Sequence, residues 1–207
     1  MKKILIALGF TLAAMSAQSA TLSLSNLGSV TFTSATSSAP LASHDVITGA
    51  TGGTFGLLSV DTDTTFRVTF LGKEAGDVNF YVANGVNVVN SANNVVSVGD
   101  SFQFDVSAGA INFGFNDTTT GVTASNIGDS INKIAYIAND GSYIDAATGN
   151  PYAFLIGFND SGSLDGDYDD YVIGVSAVPV PAALPLLASA LGAFGIARRR
   201  NKAKAAK

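Results

Sequence analysis

Short stretches of alternating apolar and polar residues run through the middle of the chain. Phe66, Val68 and Phe70 fall on one face of an extended segment, and Arg67 and Thr69 fall on the other. A period of two residues is typical of half-buried strands in antiparallel sheets. The same pattern predicts strands at Val30–Thr33, Phe55–Val60, Phe66–Leu71, Val78–Val82, Val95–Val98, Phe102–Val106, Ile111–Phe115, Ile131–Ile137, Tyr152–Phe158 and Tyr171–Val175.

Turn-forming dipeptides separate these segments. Asn84-Gly85 favours a tight turn, and Asp140-Gly141 would close a hairpin between the apolar segments on either side of it. No stretch between residues 21 and 178 has the period of a long helix. The body is therefore predicted to be all-β, an antiparallel β-sandwich with a jelly-roll-like arrangement.

The first 20 residues have a different pattern. Lys2 and Lys3 precede a short apolar run from Ile4 to Met15, and small residues follow. The run is too short for a comfortable membrane span, but this order is typical of a secretory signal peptide. Residues 1–20 are predicted to be that signal, with cleavage after Ser19 or Ala20, and residues 21–177 to be the secreted domain.

The last segment, residues 178–207, has three parts. It opens with prolines, continues without a charged residue as far as residue 197, and then reaches Arg198, Arg199 and Arg200. A helix of about 20 residues rises roughly 30 Å, which matches the bilayer core. Basic residues hold such a helix end on the cytoplasmic side. We expect a single transmembrane helix.

This arrangement resembles the PEP-CTERM sorting signal in its VPLPA variant. Val178, Pro179, Pro181 and Ala182 match the motif, while Val180 replaces the usual Leu. The tail after the arginines is also longer than usual. The alternative is a permanent C-terminal anchor.

The resemblance implies a set of partners and a location. The partner would be an exosortase, a membrane protease-transferase of Gram-negative bacteria that export polysaccharide. The chain would be anchored transiently in the inner membrane and would then reach the cell surface or the extracellular space.

Charge is divided unevenly along the chain. The body holds all 16 acidic residues against only three bases, Arg67, Lys73 and Lys133, which gives it a net charge of −13. Such a body repels phosphate backbones, so we expect no nucleic-acid partner. The chain has no cysteine, which excludes disulfides and thiolate metal sites.

An aspartate-rich loop lies between the last two predicted strands. Nearby carboxylates repel one another unless a cation or water lies among them, and Ca²⁺ prefers oxygen ligands from flexible loops. The predicted calcium ligands are Asp160, Asp165, Asp167, Asp169 and Asp170.

The loop is not an EF-hand, because Asp170 stands where that motif requires Gly. It better resembles an end motif of secreted bacterial β-domains, matched here by Phe158, Asp160, Asp167, Tyr168 and Asp170. That resemblance implies calcium binding. The alternative is a solvated acidic turn that keeps a sheet edge soluble.

One short pattern occurs twice. Residues 113–117 read FGFND and residues 156–160 read IGFND. Two copies do not make a repeat protein, so they are interpreted as two similar strand exits.

Catalytic signatures are missing. His44 is the only histidine, and the sequence contains no nucleophile elbow or phosphate-binding loop. We therefore expect no enzyme. The expected function is that of a structural or adhesive surface or matrix protein associated with exopolysaccharide. A carbohydrate-binding module is the alternative, although tryptophan is absent and tyrosines would have to stack on the sugars.

Overall fold

The fold is that of a computed structural model, which describes residues 20–32, 50–73, 77–90, 96–128, 131–160, 166, 168–178, 190 and 192. The chain divides into two compact units, Ser19–Pro179 and a second made of Met1–Gln18 and Val180–Lys207. Almost all of the predicted signal peptide and membrane segment lies outside the described residues. Among the residues that are described, no helix has the length and apolar content needed to cross a bilayer.

The body is all-β, as predicted, and all its strand pairings are antiparallel. A 3₁₀ turn at Ile131–Lys133 precedes the tenth strand. In chain order the strands are β1 (Leu22–Thr31), β2 (Gly52–Val60), β3 (Thr64–Gly72), β4 (Asn79–Ala83), β5 (Val86–Asn90), β6 (Ser101–Val106), β7 (Gly109–Ala110), β8 (Phe113–Asp117), β9 (Thr123–Ser125), β10 (Ile134–Ile137), β11 (Ile144–Asp145), β12 (Asn150–Pro151), β13 (Phe154–Phe158) and β14 (Tyr171–Val178).

The strands form two larger sheets and one short ribbon. The first sheet has the order β1-β2-β10-β13-β14-β3-β6, with β7 added beside β2. The second has the order β5-β4-β8-β9, and among the described residues β11 pairs only with β12.

Aromatic side chains from the two larger sheets meet in one core. Phe66 of β3 stacks on Phe113 of β8 with ring centroids 6.4 Å apart. Phe115 of β8 and Phe158 of β13 stack almost parallel at 5.0 Å. All four rings are buried, and each contributes roughly 1.5–3 kcal/mol of transfer free energy. These contacts fix the facing ends of β8 and β13.

The opposite face of β3 is also covered, which the period-two pattern did not anticipate. Arg67 lies on that face as predicted, but it is only 9% exposed and forms an ion pair with Asp145 of β11. Tyr152 packs directly over Gly174 of β14 on the same side of the sheet. The central strands are therefore buried on both faces.

Most predicted strands are confirmed at least in part, although β1 begins at Leu22 rather than Val30 and Ile131–Lys133 is a 3₁₀ turn rather than strand. Two other predictions are clearly wrong. The strand predicted at Val95–Val98 is wrong. Its described residues, 96–98, are not in a strand, and the Asp100 N–H donates to the Ser97 carbonyl and closes a turn there. The hairpin predicted at Asp140-Gly141 is also wrong. The strand before it pairs with β13 and β2 instead, and the Asn139 side chain holds the loop by donating to backbone carbonyls.

The Asn84-Gly85 turn is confirmed between β4 and β5. Both residues have positive φ, 50° and 78°, as a two-residue hairpin of the primed type requires.

Candidate metal centre

The structure describes only part of the aspartate-rich loop. Asp165 and Asp167 lie outside the described residues. Asp160, Asp169 and Asp170 are described, and all three are buried. Asp170 supports its neighbour, because its carboxylate accepts a hydrogen bond from the Asp160 backbone N–H at 2.8 Å.

A different set of carboxylates converges on Asp160. Asp77, Asp117 and Asp160 each place a carboxylate oxygen within 4.8 Å of the other two. We call these three residues the acidic cluster. Two of them, Asp77 and Asp117, were absent from the predicted ligand set, which was drawn from one loop.

Strand pairing explains how distant residues reach one place. Asn79 pairs with Asp117 across β4 and β8, which brings the start of one strand to the end of the other. Phe158 pairs with Tyr171 across β13 and β14, just before Asp160. The Phe115–Phe158 stack then joins these two strand ends across the core. The acidic cluster therefore lies where the two larger sheets meet.

The Asp117 carboxylate is held by its own turn. Its Oδ1 accepts the Thr119 N–H at 2.7 Å, and its Oδ2 accepts the Thr120 N–H at 3.0 Å and the Thr120 hydroxyl. Burial acts to raise the pKa of Asp117, but the hydrogen bonds from Thr120 and Thr119 outweigh it and hold the pKa below its usual value. Asp117 is therefore ionised at neutral pH.

The Asp160 carboxylate has weaker support. Asn79 Nδ2 donates to Asp160 Oδ2 at 2.5 Å, and Asp160 is only 4% exposed. Burial is the main cause that raises the pKa of Asp160. Hydrogen bonds involving Asn79 and Asp170 lower this pKa, and repulsion from Asp117 and Asp77 raises it further; the net direction is upward. In the described part of the chain, neither Asp117 nor Asp160 forms an ion pair with a base.

The spacing suits a hard cation. Calcium–oxygen distances are about 2.3–2.6 Å, so two oxygens on opposite sides of one ion lie roughly 5 Å apart. Three carboxylate oxygens within 4.8 Å of one another can therefore share a single ion. Calcium takes six to eight oxygens, so backbone carbonyls or water would have to complete the shell.

Tyr168 anchors the described end of the aspartate-rich loop. Its ring stacks on Phe32 at 5.6 Å, and its hydroxyl donates to the Asn132 carbonyl at 2.6 Å. Its φ of 62° is unusual for a residue other than glycine. A Cβ on Gly157 would lie 2.1 Å from the Tyr168 carbonyl oxygen, so only glycine allows this crossing.

The predicted sorting motif is described only at its first residue. Val178 is the last residue of β14 and pairs with Thr65, and its carbonyl accepts the Thr64 hydroxyl at 3.2 Å. Pro179, Pro181 and Ala182 lie outside the described residues, as do Arg198, Arg199 and Arg200.

The tyrosines considered for sugar stacking are mostly enclosed. Tyr143 is partly buried, and the other five are buried: Tyr81, Tyr136, Tyr152, Tyr168 and Tyr171. The described residues therefore present no fully exposed tyrosine ring.

The sequence contained one signal for the missed ligands. The repeated FGFND and IGFND segments are the two strand exits that end in Asp117 and Asp160. Their similarity indicates two like strand exits, but only the three-dimensional fold brings them together. Asp77 carries no comparable signal. No protein-family model, curated protein or solved structure matches this chain.

Proposed function

We propose that this chain is an exported bacterial surface or matrix protein with a structural or adhesive role. Its body would be a jelly-roll-like β-sandwich stabilised by calcium at the acidic cluster. The observation that carries the calcium proposal is the convergence of Asp77, Asp117 and Asp160 from three separate strand ends.

The physical reason is electrostatic. Burying several carboxylates together is costly unless a cation or protons neutralise them. A cation that links strand ends from both sheets would stabilise the folded state, because the unfolded chain holds those ends apart. The extracellular space supplies calcium at concentrations that weak sites can use.

The export proposal is supported by both termini. The basic and apolar start fits a signal peptide of residues 1–20. The segment 178–207 resembles the PEP-CTERM signal and implies an exosortase-type partner, passage through the inner membrane and a setting rich in exopolysaccharide. Mass spectrometry of the mature protein tests this: we expect both ends to be removed, and an intact chain from Met1 to Lys207 contradicts it.

Isothermal titration of the full chain in detergent with CaCl₂ tests the metal proposal. One calcium ion is expected to bind with a Kd in the micromolar-to-millimolar range of flexible sites, roughly 10⁻⁶–10⁻³ M. Asp160→Asn should abolish this binding. Asp140→Asn is the matched control, because Asp140 is an aspartate in an ordinary turn, where its Oδ1 accepts the Ser142 N–H.

Unchanged binding in Asp160→Asn would remove the acidic cluster from the proposal. Absence of calcium binding in the unsubstituted chain would remove the metal altogether. Neither result bears on export, which the termini test separately.

A further inference from the structure

The tip of the β4–β5 hairpin carries a reactive pair of residues. Asn84 and Gly85 form the turn, and Ala83 pairs with Val86 at its base. Both turn residues are exposed. Apart from the chain neighbours of Gly85, nothing lies within 4 Å of the position that a Cβ on this residue would occupy. Solvent therefore reaches the Asn84 amide and the backbone that follows it.

An asparagine side chain can react with the backbone of the next residue. The backbone nitrogen of that residue attacks the side-chain amide carbon and closes a cyclic imide. A bulky side chain on the attacking residue hinders its approach, whereas glycine has no Cβ and turns freely. Asn-Gly is therefore the dipeptide in which this ring closes most readily.

The chain supplies its own comparison for Asn84. The exposed asparagines among the residues whose exposure the structure describes are Asn26, Asn84, Asn112, Asn132 and Asn150. Leucine, phenylalanine and lysine follow the first, third and fourth of these, and proline follows the last. Proline has no N–H to lose, so it cannot close the ring. Asn84-Gly85 is the only Asn-Gly pair in the sequence.

We propose that Asn84 is a site of spontaneous deamidation, which replaces the amide at the hairpin tip with a carboxylate. The Gly85 nitrogen loses its proton to the solvent and attacks Asn84 Cγ. A C–N bond forms, the bond from Cγ to Nδ2 breaks, and the amide nitrogen takes up a proton and leaves as ammonia. The proposal depends neither on calcium nor on export.

A water molecule then opens the ring in one of two ways. Breaking the bond between Cγ and the Gly85 nitrogen gives an ordinary aspartate. Breaking the bond between the Asn84 carbonyl carbon and the same nitrogen gives isoaspartate, in which the side-chain methylene has become part of the backbone. The net reaction consumes water and releases ammonia in equal amounts.

The two products affect the hairpin differently. Asp-Gly suits the same primed turn as Asn-Gly, so aspartate adds a negative charge and keeps the backbone. Isoaspartate lengthens the loop between Ala83 and Val86, and loop length sets the register of a hairpin. Among the described residues β5 pairs only with β4, so a longer loop should loosen this edge strand.

Mass spectrometry of the aged chain tests the proposal. The full chain in non-ionic detergent is held in mildly alkaline buffer, and samples are digested with pepsin at intervals. Exchange of an amide for a carboxylate raises the peptide mass, and fragmentation locates the residue. We expect residue 84 to convert several-fold faster than Asn26, Asn112 or Asn132, with no ring-derived product at Asn150. Both aspartate and isoaspartate should form.

Asn84→Asp is the matched control for the structural effect, because it carries the new charge on an ordinary backbone. Hydrogen exchange is read on β5 peptides, with the isoaspartyl and aspartyl forms separated by chromatography. The isoaspartyl form should lose amide protection in Val86–Asn90, whereas Asn84→Asp should keep the protection of the fresh chain.

Three results would overturn the proposal. One is conversion at residue 84 no faster than at Asn26, Asn112 and Asn132, which would mean that the folded turn holds the Gly85 nitrogen away from the side chain. Another is formation of aspartate without isoaspartate, because direct hydrolysis rather than ring closure would then be the route. The third is equal protection of β5 in the isoaspartyl form and in Asn84→Asp, which would remove the effect on the hairpin.

Discussion

Asp117 and Asp145 occupy two turns of nearly the same design. One turn reads Asp-Thr-Thr-Thr-Gly and the other reads Asp-Ala-Ala-Thr-Gly. In each, the aspartate carbonyl accepts the N–H of the closing glycine, and Oδ1 accepts the N–H two residues ahead. Both aspartates are at most 1% exposed. Local sequence therefore builds the same buried carboxylate twice.

The surroundings of the two carboxylates differ. Asp145 Oδ2 accepts a hydrogen bond from Arg67 Nη1 at 3.1 Å, so the chain itself supplies the cation. Asp117 faces Asp160 and Asp77, two more carboxylates. A buried negative charge needs a cation or a proton, and among the described residues neither Asp117 nor Asp160 forms an ion pair with a base. Turns of nearly the same design therefore hold one carboxylate in an ion pair and the other beside two more carboxylates.

Of the changes considered, removing the Arg67 side chain should reduce the free energy of unfolding most. Arg67→Leu leaves Asp145 buried without its partner, and breaking such a pair typically costs about 3–5 kcal/mol. The loss in unfolding free energy, measured by urea denaturation, should be the same with calcium and with chelator. A loss that calcium reverses would contradict the separation of the two sites.

The double variant Arg67→Leu/Asp145→Asn is the control. It removes both charges and keeps the Oδ1 acceptor of the turn, so it should recover part of the stability lost in Arg67→Leu. If it is no more stable than the single variant, the uncompensated charge is not the cause.

Two buried tyrosines extend the comparison to neutral groups. The Tyr136 hydroxyl donates to Asn126 Oδ1, whereas the Tyr81 hydroxyl is buried with no hydrogen-bond partner among the described residues. Tyr136→Phe should lower the unfolding free energy by about 1–2 kcal/mol, and Tyr81→Phe should leave it unchanged or raise it by up to about 1 kcal/mol. Thermal melts of the two variants side by side measure this. A larger loss in Tyr81→Phe than in Tyr136→Phe would contradict it.

The pH dependence should show the smallest effect. Burial raises the pKa of Asp160 above its usual 3.8, so the folded metal-free state binds the proton more tightly than the unfolded state does. The unfolding free energy should therefore fall as pH rises from 3.8 through the higher folded pKa. In chelator, unsubstituted protein should lose stability relative to Asp160→Asn across that window. Asp117 has a lowered pKa and contributes in the opposite direction, as stability that is lost when pH falls below 3.8.

Local patterns predicted the all-β class and many of the strands. Alternation placed Phe66 and Val68 in the core, and Asn84-Gly85 set a hairpin, because both depend on nearby residues. The covering of Arg67 by Asp145 could not be predicted, since it joins residues 78 positions apart.

The candidate site could likewise be predicted only where it depends on residues close together in the sequence. Asp160 was predicted from its acidic loop, whereas Asp77 and Asp117 join it only through strand pairing and the stacking of Phe115 on Phe158. The sequence of one loop cannot indicate which carboxylates from other segments of the chain will lie beside it.

The stability of Asp160→Asn with and without calcium tests the central claim most directly. The substitution removes one charge from the acidic cluster and keeps an oxygen that can accept from Asn79. With chelator, Asp160→Asn should unfold at a higher temperature than the unsubstituted chain, because the repulsion is relieved. With saturating calcium the order should reverse, since only the intact acidic cluster gains binding energy. The same order in both conditions would contradict the claim that an external cation neutralises this site.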